Sequence, residues 1–125
     1  MHILLVDDSE LILSRLRRLI LLKYPDVVIT SAKTFHQAEE ALQPPLPDVV
    51  ILDIQLPDGN GIDIAERIRK ISHEMKIVIL TNYNEEGYRK AAMVAGADYY
   101  INKSGEFRKV LPLLGTILSE LQTEL

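Results

Sequence analysis

The run Asp48-Val49-Val50-Ile51-Leu52-Asp53 constrains this chain more than any other. Four consecutive branched apolar residues read as a strand covered on both faces, the situation of a parallel sheet held between layers of helix. The carboxylate that ends the run has no packing role. Asp53 falls where the chain leaves the sheet, ahead of Ile54-Gln55-Leu56-Pro57-Asp58-Gly59, whose Pro-Asp-Gly lets the backbone change direction.

Four other stretches read as strands: residues 2–7, Val27 to Ala32, Lys76 to Thr81 and Asp98 to Lys103. Helical periodicity fills the gaps. Ser9 is placed to cap a helix that carries Ile12, Leu13, Leu16, Leu19 and Ile20 inward, turns Arg15, Arg17 and Arg18 elsewhere, and stops at Pro25. Thr34 and Gln37 form a capping-box pattern for a short helix with Phe35, Ala38 and Leu42 inward. After Gly59-Asn60-Gly61 a third helix presents Ile64, Ala65, Ile68 and Ile71. The fourth has the thin stripe Tyr88, Ala91, Ala92, Ala95, which buries little area and predicts a weakly held element ending at Gly96. Phe107, Val110, Leu111, Leu114, Ile117 or Leu118, and Leu121 mark a final helix that Pro112 bends or starts late.

Alternating strands and helices predict an α/β, three-layer flavodoxin-like (βα)5 fold with a five-stranded parallel sheet in the order 2-1-3-4-5. The uniformly apolar first, third and fourth strands belong in the centre and the mixed second and fifth at the edges. The 125 residues fit one domain, 1–125. A net charge of −4 argues against nucleic acid as a direct partner. With no cysteine there is no thiolate metal site, and no apolar run is long enough for a membrane span, which fits a cytoplasmic protein.

In that topology the polar strand ends converge on one edge of the sheet. Asp7 and Asp8 end the first strand, Asp53 the third and Thr81 the fourth, and Lys103 follows the fifth. At about 4 Å and an effective dielectric near 20, each carboxylate pair repels by roughly 4 kcal/mol, so a proton or a cation must neutralise the cluster. An all-oxygen site with room for water suits magnesium, with manganese as the alternative. The Lys103 ammonium and Thr81 hydroxyl are donors suited to phosphoryl oxygens.

Over essentially its full length the chain resembles the response-regulator receiver family, the CheY-like phosphoacceptor domains. The resemblance rests on Val6-Asp7-Asp8-Ser9, Ile51-Leu52-Asp53 with Pro57-Asp58-Gly59-Asn60-Gly61, Leu80-Thr81, and Gly96-Ala97-Asp98-Tyr99-Tyr100 before Lys103. It implies that Asp53 accepts a phosphoryl group from a histidine kinase, a phosphotransfer protein or a small phosphodonor. Asp8, Asp7 (through water), Asp53 and the Gln55 backbone carbonyl would hold Mg²⁺, and Lys103 would balance a further oxygen. Thr81 and Tyr100 would form the switch that changes the face of helix four, strand five and helix five. Such a protein is no conventional enzyme; it catalyses its own phosphorylation and dephosphorylation. Its implied partners are a sensor kinase and a downstream protein target, with Arg89, Lys90, Met93, Arg108 and Lys109 on a candidate surface for that target or for a phosphorylation-linked homodimer.

Three departures from the family pattern stand out. Asn82 follows Thr81 where Ala or Gly is usual, which narrows access to Asp53. Tyr83 and Gln55 occupy the positions that tune phosphate lifetime in the family. Ser104 replaces a proline that often carries a cis bond, so a trans Lys103–Ser104 peptide is expected; with Pro112 in the last helix, this is more like NarL/FixJ-type receivers. Two other functions use the same residues, an aspartyl phosphohydrolase and a phosphorylation-independent binding module. The first lacks an acid two residues beyond Asp53, and the second usually loses one of the residues retained here.

Overall fold

The computed structural model describes residues 1–123. Strands β1 (His2–Val6), β2 (Val28–Ala32), β3 (Val49–Leu52), β4 (Lys76–Thr81) and β5 (Tyr99–Asn102) form one parallel sheet in the order β2-β1-β3-β4-β5, as the hydrophobic pattern predicts. Helices α1 (Glu10–Lys23), α2 (Phe35–Glu40), α3 (Gly61–Ile71), α4 (Glu86–Ala95) and α5 (Val110–Thr123) connect and cover it. A helical turn, Lys103–Glu106, and a 3-10 turn, Phe107–Lys109, separate β5 from α5. Pro112 therefore lies in the first turn of α5, where a missing N–H costs nothing.

Side chains alternate across the sheet and divide the core in two. Leu4, Val6, Val50, Leu52, Ile77 and Ile79 pack towards Ala38, Ile64, Ala65, Ile68 and Ala92. Ile3, Leu5, Val49, Ile51, Val78 and Leu80 meet Leu13, Leu16, Ile20, Val110, Leu114 and Ile117 on the other side. All four β3 side chains are buried, and each contributes about 1.5–3 kcal/mol relative to exposure. This burial on both faces anchors the end of β3, and with it Asp53.

Some packing differs from the periodicity. Ile71, expected inward, is 53% exposed because α3 ends there; beyond Ser72, Met75 fills the core instead. In α4 only Ala92 and Ala95 are buried, while Ala91 and Tyr88 are exposed. Leu42 lies past the end of α2 and is half-buried. Arg15 is not simply solvated: its guanidinium stacks on Phe107 at 4.3 Å.

Two local devices hold the loop after β3. Gln55–Leu56 and Gly59–Asn60 pair as a two-stranded antiparallel ribbon around Pro57-Asp58. From that turn the Asp58 carboxylate accepts from the Phe35 and His36 amides, at 2.6 and 3.1 Å. It thus caps α2 from outside, alongside Thr34, which accepts from the Gln37 amide at 3.0 Å. Those bonds hold the Asp58 carboxyl below the usual carboxylate range.

Candidate functional site

In a parallel sheet every strand ends on the same edge, so the polar residues after β1, β3, β4 and β5 face one cleft of about 540 Å³. Asp8, Asp53, Gln55, Asn82, Lys103 and Ser104 line it. Asp53 is 7% exposed and Asp7 3%, whereas Asp8 is exposed. Lys103 reaches between the buried pair, its Nζ 2.7 Å from Asp7 Oδ2 and 2.8 Å from Asp53 Oδ2. Asn102 fixes the backbone behind this lysine: its Oδ1 accepts from the Ser104 amide at 2.8 Å and starts the helical turn.

The three carboxylates offer ligand oxygens within 4.8 Å of one another. One ammonium cannot neutralise three negative charges. Asp7 Oδ1 accepts from the Ser9 amide at 2.9 Å, and the Gln55 amide approaches Asp53 Oδ1 at 3.4 Å, leaving the Asp8 carboxylate free of protein partners among the described residues. An all-oxygen donor set of this charge, open on one side to water, fits a hard divalent cation such as Mg²⁺.

Burial pushes the Asp7 carboxyl above its usual range, outweighing the opposing effects of Lys103 and the Ser9 amide. Burial also opposes the Lys103 ammonium, but hydrogen bonds to Asp53 and Asp7 prevail and hold its pKa above the ordinary lysine value. A carboxyl with a raised folded-state pKa favours folding only while protonated. Its contribution is complete below the unfolded-state pKa and is lost as pH rises through the folded value. Ionised Asp7 therefore costs stability at neutral pH. Asp7→Asn is expected to raise the melting temperature at pH 7 without divalent cation, with the gain shrinking towards acid; calorimetry across pH checks this.

Thr81 is buried at the end of β4 and accepts from the Tyr83 amide at 3.4 Å. It stands beside the cleft and is not among the residues lining it. The Tyr83 hydroxyl donates to Gln55 Oε1, so the two expected lifetime-tuning residues touch directly. Tyr100, expected to turn inward after Thr81 moves, already donates its hydroxyl to the Tyr83 carbonyl at 2.5 Å. Burial and the Glu85 carboxylate push its pKa up to about 12, so it is a neutral donor. Lys103–Ser104 is trans, as expected; Pro44–Pro45 is the one cis peptide among the described residues.

Residues 3–114 match the family described as "Response regulator receiver domain". The chain belongs to that family. This receiver is 33% identical over 105 residues to the uncharacterized transcriptional regulatory protein YvfU of Bacillus subtilis, a match covering 84% of this chain and 52% of YvfU. With the chemotaxis protein CheY of Halobacterium salinarum it shares 30% identity over 118 residues, 94% of this chain and 97% of that one. The non-phosphorylated HemR receiver domain from Leptospira biflexa has the same fold, with a TM-score of 0.83, 33% identity and 94% of both chains covered. The receiver spans about half the length of YvfU and of other curated relatives that it matches. It is a CheY-like receiver of two-component signalling, and no helix among the described residues is long and apolar enough to cross a membrane.

Several residues at the site escape a reading of the sequence. Gly61 closes over Asp53: a Cβ there would lie 2.0 Å from the Asp53 carbonyl oxygen. The Ser104 hydroxyl donates to Asn82 Oδ1 at 3.0 Å, joining two residues separately legible as departures from the family pattern. Away from the cleft, at the opposite edge of the sheet, Arg69 gathers the Gly96, Ser72 and Met75 carbonyls and the Asp98 carboxylate, pinning the C-terminal end of α4 to the start of β4. No periodic signal marks such partners.

Proposed function

We propose that this receiver takes a phosphoryl group on Asp53 from a histidine kinase, a phosphotransfer protein or a small phosphodonor, and that the modification controls a partner or an output domain. The observation that carries the reading is Lys103 Nζ held between Asp7 and Asp53 at 2.7 and 2.8 Å, in a cleft that also exposes Asp8. An Asp53 carboxylate oxygen forms the new bond to phosphorus. The bond from phosphorus to the donor breaks, and the imidazole or carboxylate leaves with the electron pair. Lys103 is placed to turn from the Asp53 carboxylate to a phosphoryl oxygen, so its charge serves both ends of the step.

Asp8, Asp7, Asp53 and the Gln55 carbonyl are the residues to hold Mg²⁺, which when bound gathers negative charge on the transferring group. Thr81 and Tyr100 are the switch residues. Tyr100, hydrogen-bonded to the backbone that follows Thr81, carries a displacement of that loop to the α4–β5–α5 face. With only two buried residues, α4 is suited to respond. Transcriptional regulators among the relatives, one of them the DNA-binding transcriptional activator EvgA of Escherichia coli, support a DNA-binding output elsewhere in a longer protein, with this domain cytoplasmic and making no nucleic-acid contact itself.

Incubation with acetyl phosphate and Mg²⁺ followed by intact-mass measurement tests the reading. One stably added phosphoryl group supports it; turnover without accumulation indicates a phosphohydrolase, and no modification indicates a binding module. Lifetime gives a further prediction. Tyr83 bonds to Gln55, which lines the cleft with Asp53; if this pair hinders water at the phosphoryl group, Tyr83→Ala should dephosphorylate several-fold faster, roughly the effect of one exposed hydrogen bond. A phosphate-release assay measures it.

A further inference from the structure

Asn82 and Ser104 lie 22 residues apart, yet both line the mouth of the Asp53 cleft and are joined by a 3.0 Å hydrogen bond. Each directly follows a residue of the site, Asn82 after Thr81 and Ser104 after Lys103. The bond ties the residue just after the last β4–β5 register pair, Thr81 with Asn102, to the helical turn that follows β5. The Ser104 amide is already satisfied by Asn102 Oδ1, which leaves the hydroxyl to reach across. A hydrogen bond of this kind leaves the open arrangement several-fold less populated than the closed one, and its placement at the rim gives that preference a use.

We propose that the Asn82–Ser104 hydrogen bond is a strut across the cleft mouth that selects phosphodonors by size. This rests on Asp53 being the phosphoacceptor. A donor must bring its phosphorus to an Asp53 oxygen while its leaving group stays at the rim, where the strut holds the β4 and β5 ends together. Small leaving groups pass beside it. Bulky ones require the bond to open first, and the rate falls by the population of the open rim. Asn82 and Ser104 are specificity-determining positions; neither exchanges protons or electrons with the donor.

The test measures phosphorylation of the full chain with Mg²⁺ by three donors of increasing size: phosphoramidate, acetyl phosphate and benzoyl phosphate. Taking the variant-to-wild-type ratio for each donor removes the donor's intrinsic reactivity. Ser104→Ala is expected to change the phosphoramidate rate least and to raise the benzoyl phosphate rate roughly fivefold relative to it, the population effect of losing one exposed hydrogen bond. Ser104→Thr, which keeps the hydroxyl, should restore the wild-type pattern. In an Asn82→Ala background Ser104→Ala should have no further effect, because the bond is already gone. An unchanged benzoyl phosphate rate, an equal change with all three donors, or additive effects in the double variant overturns the strut. A wild-type chain that takes no phosphoryl group from any donor overturns the reading of Asp53, and the strut with it.

Discussion

Asp53→Ala is expected to take up no phosphoryl group from acetyl phosphate, and Lys103→Ala to take it up about a hundredfold more slowly than the wild type. The two losses have different causes. Asp53→Ala removes the carboxylate proposed to form the bond to phosphorus, and Lys103 remains paired with Asp7 at 2.7 Å. Lys103→Ala keeps the nucleophile but strips its charge partner. Two buried carboxylates then face each other with the ammonium gone, a repulsion of roughly 4 kcal/mol at 4 Å and an effective dielectric near 20. The cluster then depends wholly on a bound cation to offset that repulsion. The transferring group also loses the cation that would meet its developing charge. The variants should separate in stability as well. Breaking one side of a buried charge pair costs about 3–5 kcal/mol, so Lys103→Ala melts well below wild type in metal-free buffer, while Asp53→Ala relieves a crowded site. Intact-mass measurement and thermal unfolding on the same samples check both statements.

The difference between what the sequence reveals and what it hides follows from the range of each interaction. The strand order is legible because burial on both faces writes itself into consecutive residues, as in Val49 to Leu52. Once the order is known, convergence of Asp7, Asp53 and Lys103 follows from topology, although they are far apart in the chain. Faces set at helix ends are harder to read. Ile71 fits the α3 stripe by period but stands beyond the surface it would cover. Contacts between loops leave no period at all. Asp58 capping α2, Tyr83 on Gln55 and Ser104 on Asn82 each join residues 22 to 28 positions apart, and each depends on where two turns come to rest.

Gly61→Ala is expected to be the most damaging single-methyl change in the chain, and the reason lies in the backbone of Asp53. A Cβ on Gly61 would sit 2.0 Å from the Asp53 carbonyl oxygen, 2.9 Å from its carbonyl carbon and 3.1 Å from the Ile54 Cα. None of these atoms is the end of a flexible side chain, so the contact is relieved only by moving main chain. The Gly61 amide also donates to the Ile54 carbonyl at 2.7 Å, and Asn60 caps α3 by accepting from the Ile62 amide at 2.7 Å. Pushing Gly61 away strains both. The expected loss is roughly 3 kcal/mol, about 10 °C in melting temperature for a domain of this size. Gly87 supplies the control: nothing lies within 4 Å of its Cβ position, and it sits inside α4. Gly87→Ala should raise stability by about 0.5–1 kcal/mol through helix propensity alone. Because the Gly61 clash bears on the residue proposed as phosphoacceptor, Gly61→Ala should also slow phosphorylation at temperatures where the variant is still folded. A variant that melts early yet takes up phosphoryl groups at the wild-type rate would show that Asp53 is positioned by β3 and Lys103 without help from the start of α3.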